Sequence, residues 1–300
     1  MGVRELGNPL GNPLALKQAG DEGKARGDVV FDTPGTYEWV CPADVYSVSV
    51  VCVGGGGGAQ MEGKGGGGGA LAYKNNIPVV PGTVYTVIVG QGGGPGYFQQ
   101  IDATPGGDSS FSLSGADLCK AGGGEGAVKA THPSAGADPT GGTVKAGDGG
   151  GGGGKGGVNS GGGAGGYSGN GGNGYNNSYA PTAGSGGGGG GGHVRGGGGG
   201  VGLFGQGVNG SAGFYDHTIP KGYTGGGGGS GGESGTKRAE YSVSGYTFYQ
   251  NTIPGRYGGG APGGGSSAGY LFPVPGASGA VRIVWPGDTR LFPSTDVGPS

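Results

Sequence analysis

Two kinds of hydrophobic patterning divide the chain. From Asp28 to about Gly90 apolar and polar residues alternate with the period of two that marks half-buried strands. Val29-Val30-Phe31 and Thr36-Tyr37-Glu38-Trp39-Val40-Cys41 flank a Thr33-Pro34-Gly35 turn. From Val45 to Val53, Val48, Val50 and Cys52 share one side and Ser47, Ser49 and Val51 the other. Ala70 to Ile77 reads as a further strand. Pro81-Gly82 then turns the chain into Thr83 to Val89, another alternating run. Four or five strands without intervening helices predict an antiparallel sandwich or meander. The pattern returns only at Ala280 to Trp285, where Val281, Ile283 and Trp285 share a face. A sheet needs enough strands to bury its apolar side, so this last strand is expected back against the N-terminal ones. Residues 28–90 plus 277–295 therefore form the predicted sandwich, and 91–276 a long insertion.

The insertion has neither period two nor period 3.6. Glycine dominates it, in runs such as Gly149–Gly154, Gly186–Gly192, Gly196–Gly200 and Gly225–Gly229. The whole chain has 92 Gly and 19 Pro in 300 residues, close to the glycine share of collagen, but segments such as Val79 to Val89 break the strict triplet that collagen requires. Helix is excluded as well, because each interior glycine costs about 0.8–1 kcal/mol relative to alanine. A period of three does appear. Between Gly149 and Gly174 there are nine non-glycine residues, and six of them (Lys155, Val158, Ala164, Tyr167, Asn170, Asn173) fall in one register modulo three, where chance would put a third. Ser230 and Glu233 keep the same spacing. Three residues per turn is the extended left-handed helix, which makes no internal hydrogen bonds. Its N–H and C=O groups must then be satisfied by neighbours. The expected fold is mainly β and irregular, with almost no α-helix: a small antiparallel β-sandwich with an inserted bundle of polyglycine II helices, knitted sideways through backbone. Residues 1–27, with the tandem Gly7-Asn8-Pro9-Leu10 and Gly11-Asn12-Pro13-Leu14, read as an extended docking arm.

Charge narrows the function classes. Seventeen basic and 19 acidic residues are scattered singly and give a net charge of −2, which offers no basic stripe to nucleic acid. No run of 18 apolar residues exists, and the first 30 residues lack the apolar core of a signal peptide. Gly58-Ala59-Gln60-Met61-Glu62-Gly63-Lys64 begins like a phosphate-binding loop. Gly65 stands where the metal-binding hydroxyl should be, and no helix can start in Gly65–Gly69. Arg26-Gly27-Asp28 is a lone adhesion-like tripeptide. His132, His193 and His217 are not at metal-ligand spacing. Cys41, Cys52 and Cys119 read as reduced, buried small residues; a Cys41–Cys52 disulfide on neighbouring strands is conceivable in an oxidising medium. No nucleophile has an adjacent base and no paired carboxylates suggest a cleft. We expect no enzyme, no metal site and no cofactor.

Aromatic residues gather between the glycine runs. One cluster holds Tyr175 and Tyr179, a second Phe204, Phe214, Tyr215 and Tyr223, and a third, which also includes Tyr241, holds Tyr246, Phe248, Tyr249 and Tyr257. They read either as caps over the glycine bundle or as recognition loops on a rigid scaffold. Tyrosine with Asn and Ser supplies flat contacts at low entropic cost, which suits glycans. We take the ten aromatics other than Tyr241 as candidate receptor contacts.

Thr33-Pro34-Gly35-Thr36-Tyr37, Val48-Ser49-Val50-Val51-Cys52-Val53-Gly54 with its glycine run, and Pro81-Gly82-Thr83-Val84-Tyr85-Thr86-Val87-Ile88-Val89-Gly90 together resemble the glycine-rich domain of bacteriophage tail-fibre and related virion proteins. Gly107-Asp108-Ser109-Ser110-Phe111, Ala121-Gly122-Gly123-Gly124, Gly279 to Pro286 and Arg290 to Thr295 continue the resemblance, which spans Phe31 to Thr295. It implies a polyglycine-helix bundle tied to a β domain and displayed on a virion assembled in the host cytoplasm, homotrimers among its possible assemblies. The implied function is a tail-fibre or receptor-binding adhesin. Residues 1–27 would join other virion proteins, and the aromatics would meet a host surface glycan or outer-membrane protein. The alternatives are a structural or decorating fibre component without ligand and an extracellular ice- or surface-binding protein. The ice-binding reading wants a flat Thr or Ala face, which the mixed Lys155, Val158, Ala164, Tyr167 edge does not provide.

Overall fold

A computed structural model describes residues 26–60, 63–96, 101–129, 136–217, 222–236, 240–243, 246–249, 253–263 and 274–298. Residues 1–25, most of the expected docking arm, lie outside the described residues, as do the side chains of Tyr223, Tyr246, Phe248 and Tyr249. Strands occupy Gly27–Phe31 (β1), Gly35–Val40 (β2), Ser47–Val53 (β3), Leu71–Pro78 (β4), Val84–Val89 (β5), Ser109–Leu113 (β6), Ala116–Ala121 (β7), Val144–Ala146 (β8) and Gly149–Gly151 (β9). Short strands follow at Tyr215–Asp216 (β10), Gly222–Tyr223 (β11), Glu240–Val243 (β12) and Tyr246–Tyr249 (β13), before Ala280–Trp285 (β14).

Two antiparallel five-stranded sheets face each other, with orders β1-β14-β3-β4-β9 and β2-β5-β6-β7-β8. The last strand lies between β1 and β3, pairing Ile283 with Val29 on one side and Val50 on the other. Alternation along β3 and β14 therefore sends Val48, Val50, Cys52, Val281 and Ile283 into the interface between the sheets. They meet Trp39, Tyr85, Val87, Phe111 and Cys119 there. The Tyr85 and Phe111 rings stack at 5.1 Å. The opposite faces of the same strands are apolar too. Val51, Val53, Leu71 and Val284 pack against Ala164, Tyr167, Val201, Leu203 and Phe292, so the first sheet is buried on both sides.

One expectation is corrected. The sequence shows no strand between 91 and 276, yet β6 and β7 form a hairpin that joins β5, β8 completes the second sheet and β9 edges the first. β6 is rich in serine, and the two strands of the hairpin carry only Phe111, Leu113, Leu118 and Cys119 as apolar residues larger than alanine. Ser114 and Gly115, at φ 49° and 82°, make the two-residue turn whose backbone twist matches paired strands. All three cysteines are buried and free; the Cys41 thiol donates to Val45 O at 3.3 Å, and Cys52 faces Cys119 rather than Cys41.

Beyond the sheets the chain runs outward and back repeatedly as extended glycine segments, hydrogen-bonded to one another through backbone. The run after β3 sets the rule. Gly54 and Gly57 donate to Ala70 and Gly67, Gly55 and Gly58 to Gly107 and Thr104, and Gly56 to Ala277, at 2.8–3.0 Å. Every third residue thus addresses the same neighbour, and successive residues address different ones. Gly65 and Gly68 likewise bond Gly157 and Gly154, and Gly66 and Gly69 bond Ala261 and Gly258. Contacts along these runs leave no room for side chains: a Cβ on Gly54, Gly55 or Gly56 would run into the carbonyl oxygens of Gly122, Gln91 or Gly259.

The hydrogen bonds also fix two ends. Turns near the sandwich fall at 167–169, 186–187, 203–205, 230–231 and 257–258; the left-handed φ values at Ser230 (49°), Gly231 (77°), Tyr257 (61°) and Gly258 (86°) reverse the chain there. At the far end turns fall at 157–160, 175–179 and 193–195, and Gln60 bonds Lys64 and Phe214 bonds Thr224.

Candidate functional site

The far end brings together most of the sequence-predicted contact residues. Asn176 and Tyr179 exchange backbone hydrogen bonds at 3.0 and 2.9 Å, closing a turn that lifts the tyrosine outward. Tyr175, just before it, stacks its ring on His193 at 4.8 Å, and its N–H donates to Gly192 O at 3.0 Å. The next rung joins Phe214 and Thr224, whose carbonyl accepts from His193 N–H at 3.1 Å. Tyr215 continues outward, edge-on to the His217 ring at 4.7 Å. Phe214 is 59% exposed, and Tyr179 and Tyr215 also stand in solvent. Ile101, Val128 and Ile253 are exposed on the same end. Tyr223 pairs with Tyr215 through backbone, and the β12–β13 hairpin with Tyr246, Phe248 and Tyr249 springs from the runs that Thr236 and Ile253 tie together.

A carboxylate knot holds this surface. Asp138 accepts from Lys64 Nζ at 2.7 Å, from Asn176 Nδ2 at 2.7 Å and from Tyr179 OH at 2.6 Å. Lys64 is buried, and a buried ammonium is tolerated only when paired. The lysine set aside as a failed phosphate-loop residue thus serves as the internal counter-ion of the tyrosine turn. Burial alone would raise the Asp138 pKa; the bonds from Lys64, Tyr179 and Asn176 outweigh it and hold the carboxyl below its ordinary value. Burial and then the Asp138 carboxylate push Tyr179 up to about 12, so it stays a hydroxyl donor. Burial lowers His193, favouring the neutral ring against Tyr175. Sequence reasoning missed Asp138 and Asn176, whose only signal was polarity next to Pro139 and the tyrosines.

The remaining two candidates sit at the sandwich end. Phe204 covers the guanidinium of Arg282 at 4.3 Å, while Arg282 Nε pairs with Asp28 at 3.1 Å and Nη1 donates to Leu203 O. Tyr257 OH donates to Asp32 at 3.2 Å, beside Arg256. Both rings fasten turns to the first sheet. Among the described residues no three of His, Cys, Asp and Glu gather as a metal site.

Side-chain oxygens close the flanks of the glycine body. Gly94 N–H is taken by Thr104 Oγ1, Gly123 by Asp108 Oδ1, Thr140 by Glu125 Oε2 and Gly228 by Ser234 Oγ, at 2.7–3.2 Å. Asn170 and Asn173, three apart, take the N–H groups of Gly152 and Lys155, also three apart, both at 2.9 Å. These four residues, with Thr140 and Thr143, line an open groove of about 650 Å³ where the lattice stops.

Residues 32–286 match the model of a glycine-rich domain. The chain belongs to that glycine-rich domain family. The match runs from the turn before β2 to the residue after β14, so the family unit comprises sandwich and glycine body together. No curated protein matches the chain.

Proposed function

We propose that the glycine-rich domain chain is a virion protein, a tail-fibre or receptor-binding adhesin that turns its far end toward a host surface glycan. The observation that carries this reading is the sorting of the aromatics. Tyr175, Tyr179, Phe214 and Tyr215 share the far end with the backbone positions of Tyr223, Tyr246, Phe248 and Tyr249, leaving Phe204 and Tyr257 at the sandwich. Rings presented on turns of a stiff body suit recognition, because little freedom is left to lose on binding. The glycine segments themselves we read as polyglycine II helices: bonding that returns to the same neighbour every third residue is what three residues per turn require. The sandwich and the arm at 1–27 would face the particle.

Purified chain should adsorb to host cells and reduce infection by competing virions. Phe214→Ala together with Tyr179→Phe should weaken adsorption roughly 10- to 30-fold while leaving the fold intact. Wild-type protein that neither adsorbs nor competes, on a virus that attaches normally without it, would rule the adhesin out. A structural fibre component remains the second reading. Ile101, Val128 and Ile253 among the exposed rings make the far end partly apolar, as a subunit contact would be.

A further inference from the structure

We propose that Cys52 and Cys119 are a thiol pair placed to close into a disulfide between the two sheets. Cys52 lies on β3 in the first sheet and Cys119 on β7 in the second, and both are fully buried. The Cys52 thiol reaches the carbonyl of Cys119 at 3.7 Å. The Cys119 thiol reaches Ala72 O at 3.5 Å and Val50 O at 3.9 Å. Ala72 is the ladder partner of Cys52, and Val50 precedes it on the same face. Each sulfur therefore sits over the other's strand. The small residues Ala70, Ala72 and Ala121 around them allow this approach, in a core otherwise filled by Trp39, Tyr85 and Phe111. Cys41 is engaged elsewhere, with Val45 O.

Burial, and then the hydrogen bond with Cys119, push the Cys52 thiol well above its usual range. Thiolate is the reactive form, so the closed sandwich keeps Cys52 unreactive and burial shields both sulfurs from an oxidant, and the bond forms when the sheets part or before they dock. A low-molecular-weight disulfide is the oxidant. Cys52 thiolate attacks one of its sulfurs and expels a thiolate. Cys119 thiolate then attacks the Cys52 sulfur of the mixed disulfide and expels the second. Two cysteine hydrogens are thereby lost as protons, and the oxidant is reduced to two thiols. The bond closes a loop spanning 67 positions, which restricts the unfolded chain.

The test is to unfold the full chain, refold it with or without oxidised glutathione, alkylate it under denaturing, non-reducing conditions and map the peptides. The expected result is a Cys52–Cys119 linkage with Cys41 carrying the label, and a thermal midpoint raised by roughly 5–10 °C that reductant reverses. Cys41→Ala should keep both effects. Cys119→Ala should lose both, its reduced form still giving native tryptophan fluorescence. A linkage that includes Cys41, three labelled cysteines after oxidative refolding, or an oxidised form less stable than the reduced one would each overturn the proposal. Should Cys119→Ala fail to fold, peptide mapping of the wild type decides alone.

Discussion

The sandwich and the glycine body are continuous at Val53-Gly54, yet opposite rules keep them dense. In the sandwich, space is filled by side chains: Trp39, Tyr85 and Phe111 pack side by side on the second sheet against Val50, Cys52, Val281 and Ile283 of the first, and each strand bonds at most two neighbours. In the glycine body, space is filled by backbone. The five residues after β3 donate hydrogen bonds to runs at 67–70, 104–107 and 277, and their carbonyls accept from Gly93, Gly124, Ala127 and Ala261. Glycine loses more conformational freedom on ordering than any other residue. An ordered glycine run therefore needs nearly every amide bonded, whereas a sheet can rely on apolar area. What stabilises one region would destroy the other.

Adding one methyl group should break the comparison most sharply. Gly163 donates to Gly172 O and accepts from Gly154 N–H, both at 2.8 Å, and a Cβ there would enter the carbonyls of Gly189 and Gly190. Gly163→Ala should cost more than about 4 kcal/mol or prevent folding. Gly94, with only Thr104 Oγ1 at 3.4 Å from its virtual Cβ, should accept alanine within about 1 kcal/mol. Denaturant titration with amide exchange checks both; equal effects would mean that the glycine runs are loosely packed. In the sandwich the opposite change matters. Phe111→Ala removes a ring packed on Tyr85 and Trp39 and should cost about 3–5 kcal/mol. Trp39 and Trp285 are the chain's two tryptophans, both in the sandwich, so fluorescence follows this loss directly.

Those same rules decide what the sequence disclosed. Strands β1 to β5 and β14 were readable because one or both of their faces are apolar, and period two survives even where β3 is buried on both sides. β6 and β7 were hidden because Ser109, Ser110 and Ser112 fill most of β6 and Asp117 and Lys120 interrupt β7, and their pairing rests on backbone and the Ser114-Gly115 turn. The three-residue register had a physical cause that the sequence did not disclose. Ala164 and Tyr167 face the first sheet, while Asn170 and Asn173 cap a flank. The aromatic clusters were legible but their sorting between two ends was not, since that depends on counting reversals through runs with no side chains to mark them. Asp138 was invisible for the same reason: Lys64 is 74 positions away and meets it only after several reversals.

Removing a cap should sharpen the contrast at the lattice boundary. Asn173→Ala leaves the Lys155 N–H to water on an exposed flank, and should cost about 1 kcal/mol. Replacing Asn170 and Asn173 together by glycine exposes two donors at lattice spacing, as an uncapped sheet edge does. Concentration-dependent self-association in sedimentation should follow; a strictly unchanged sedimentation coefficient would show that the asparagines do not guard that edge.

The smallest effect separates the far-end knot from both regions through pH. Asp138 is held below its ordinary value, so the folded chain binds its proton less readily than the unfolded chain does. Its contribution is complete above the unfolded value, about pH 4, and is lost as pH falls through the lower folded value. With Lys64 buried against it, protonation removes the ammonium's counter-ion and loosens the turn that carries Tyr179. Amides of Asn176 and Tyr179 should then exchange faster below about pH 4, with less than about 1 kcal/mol of global stability lost between pH 5 and 3.5. Asp138→Asn should flatten this dependence, since the amide has no proton to gain in that range. Should the wild type and the asparagine variant keep parallel pH profiles there, the acid sensitivity of the far end would have to come from another carboxylate.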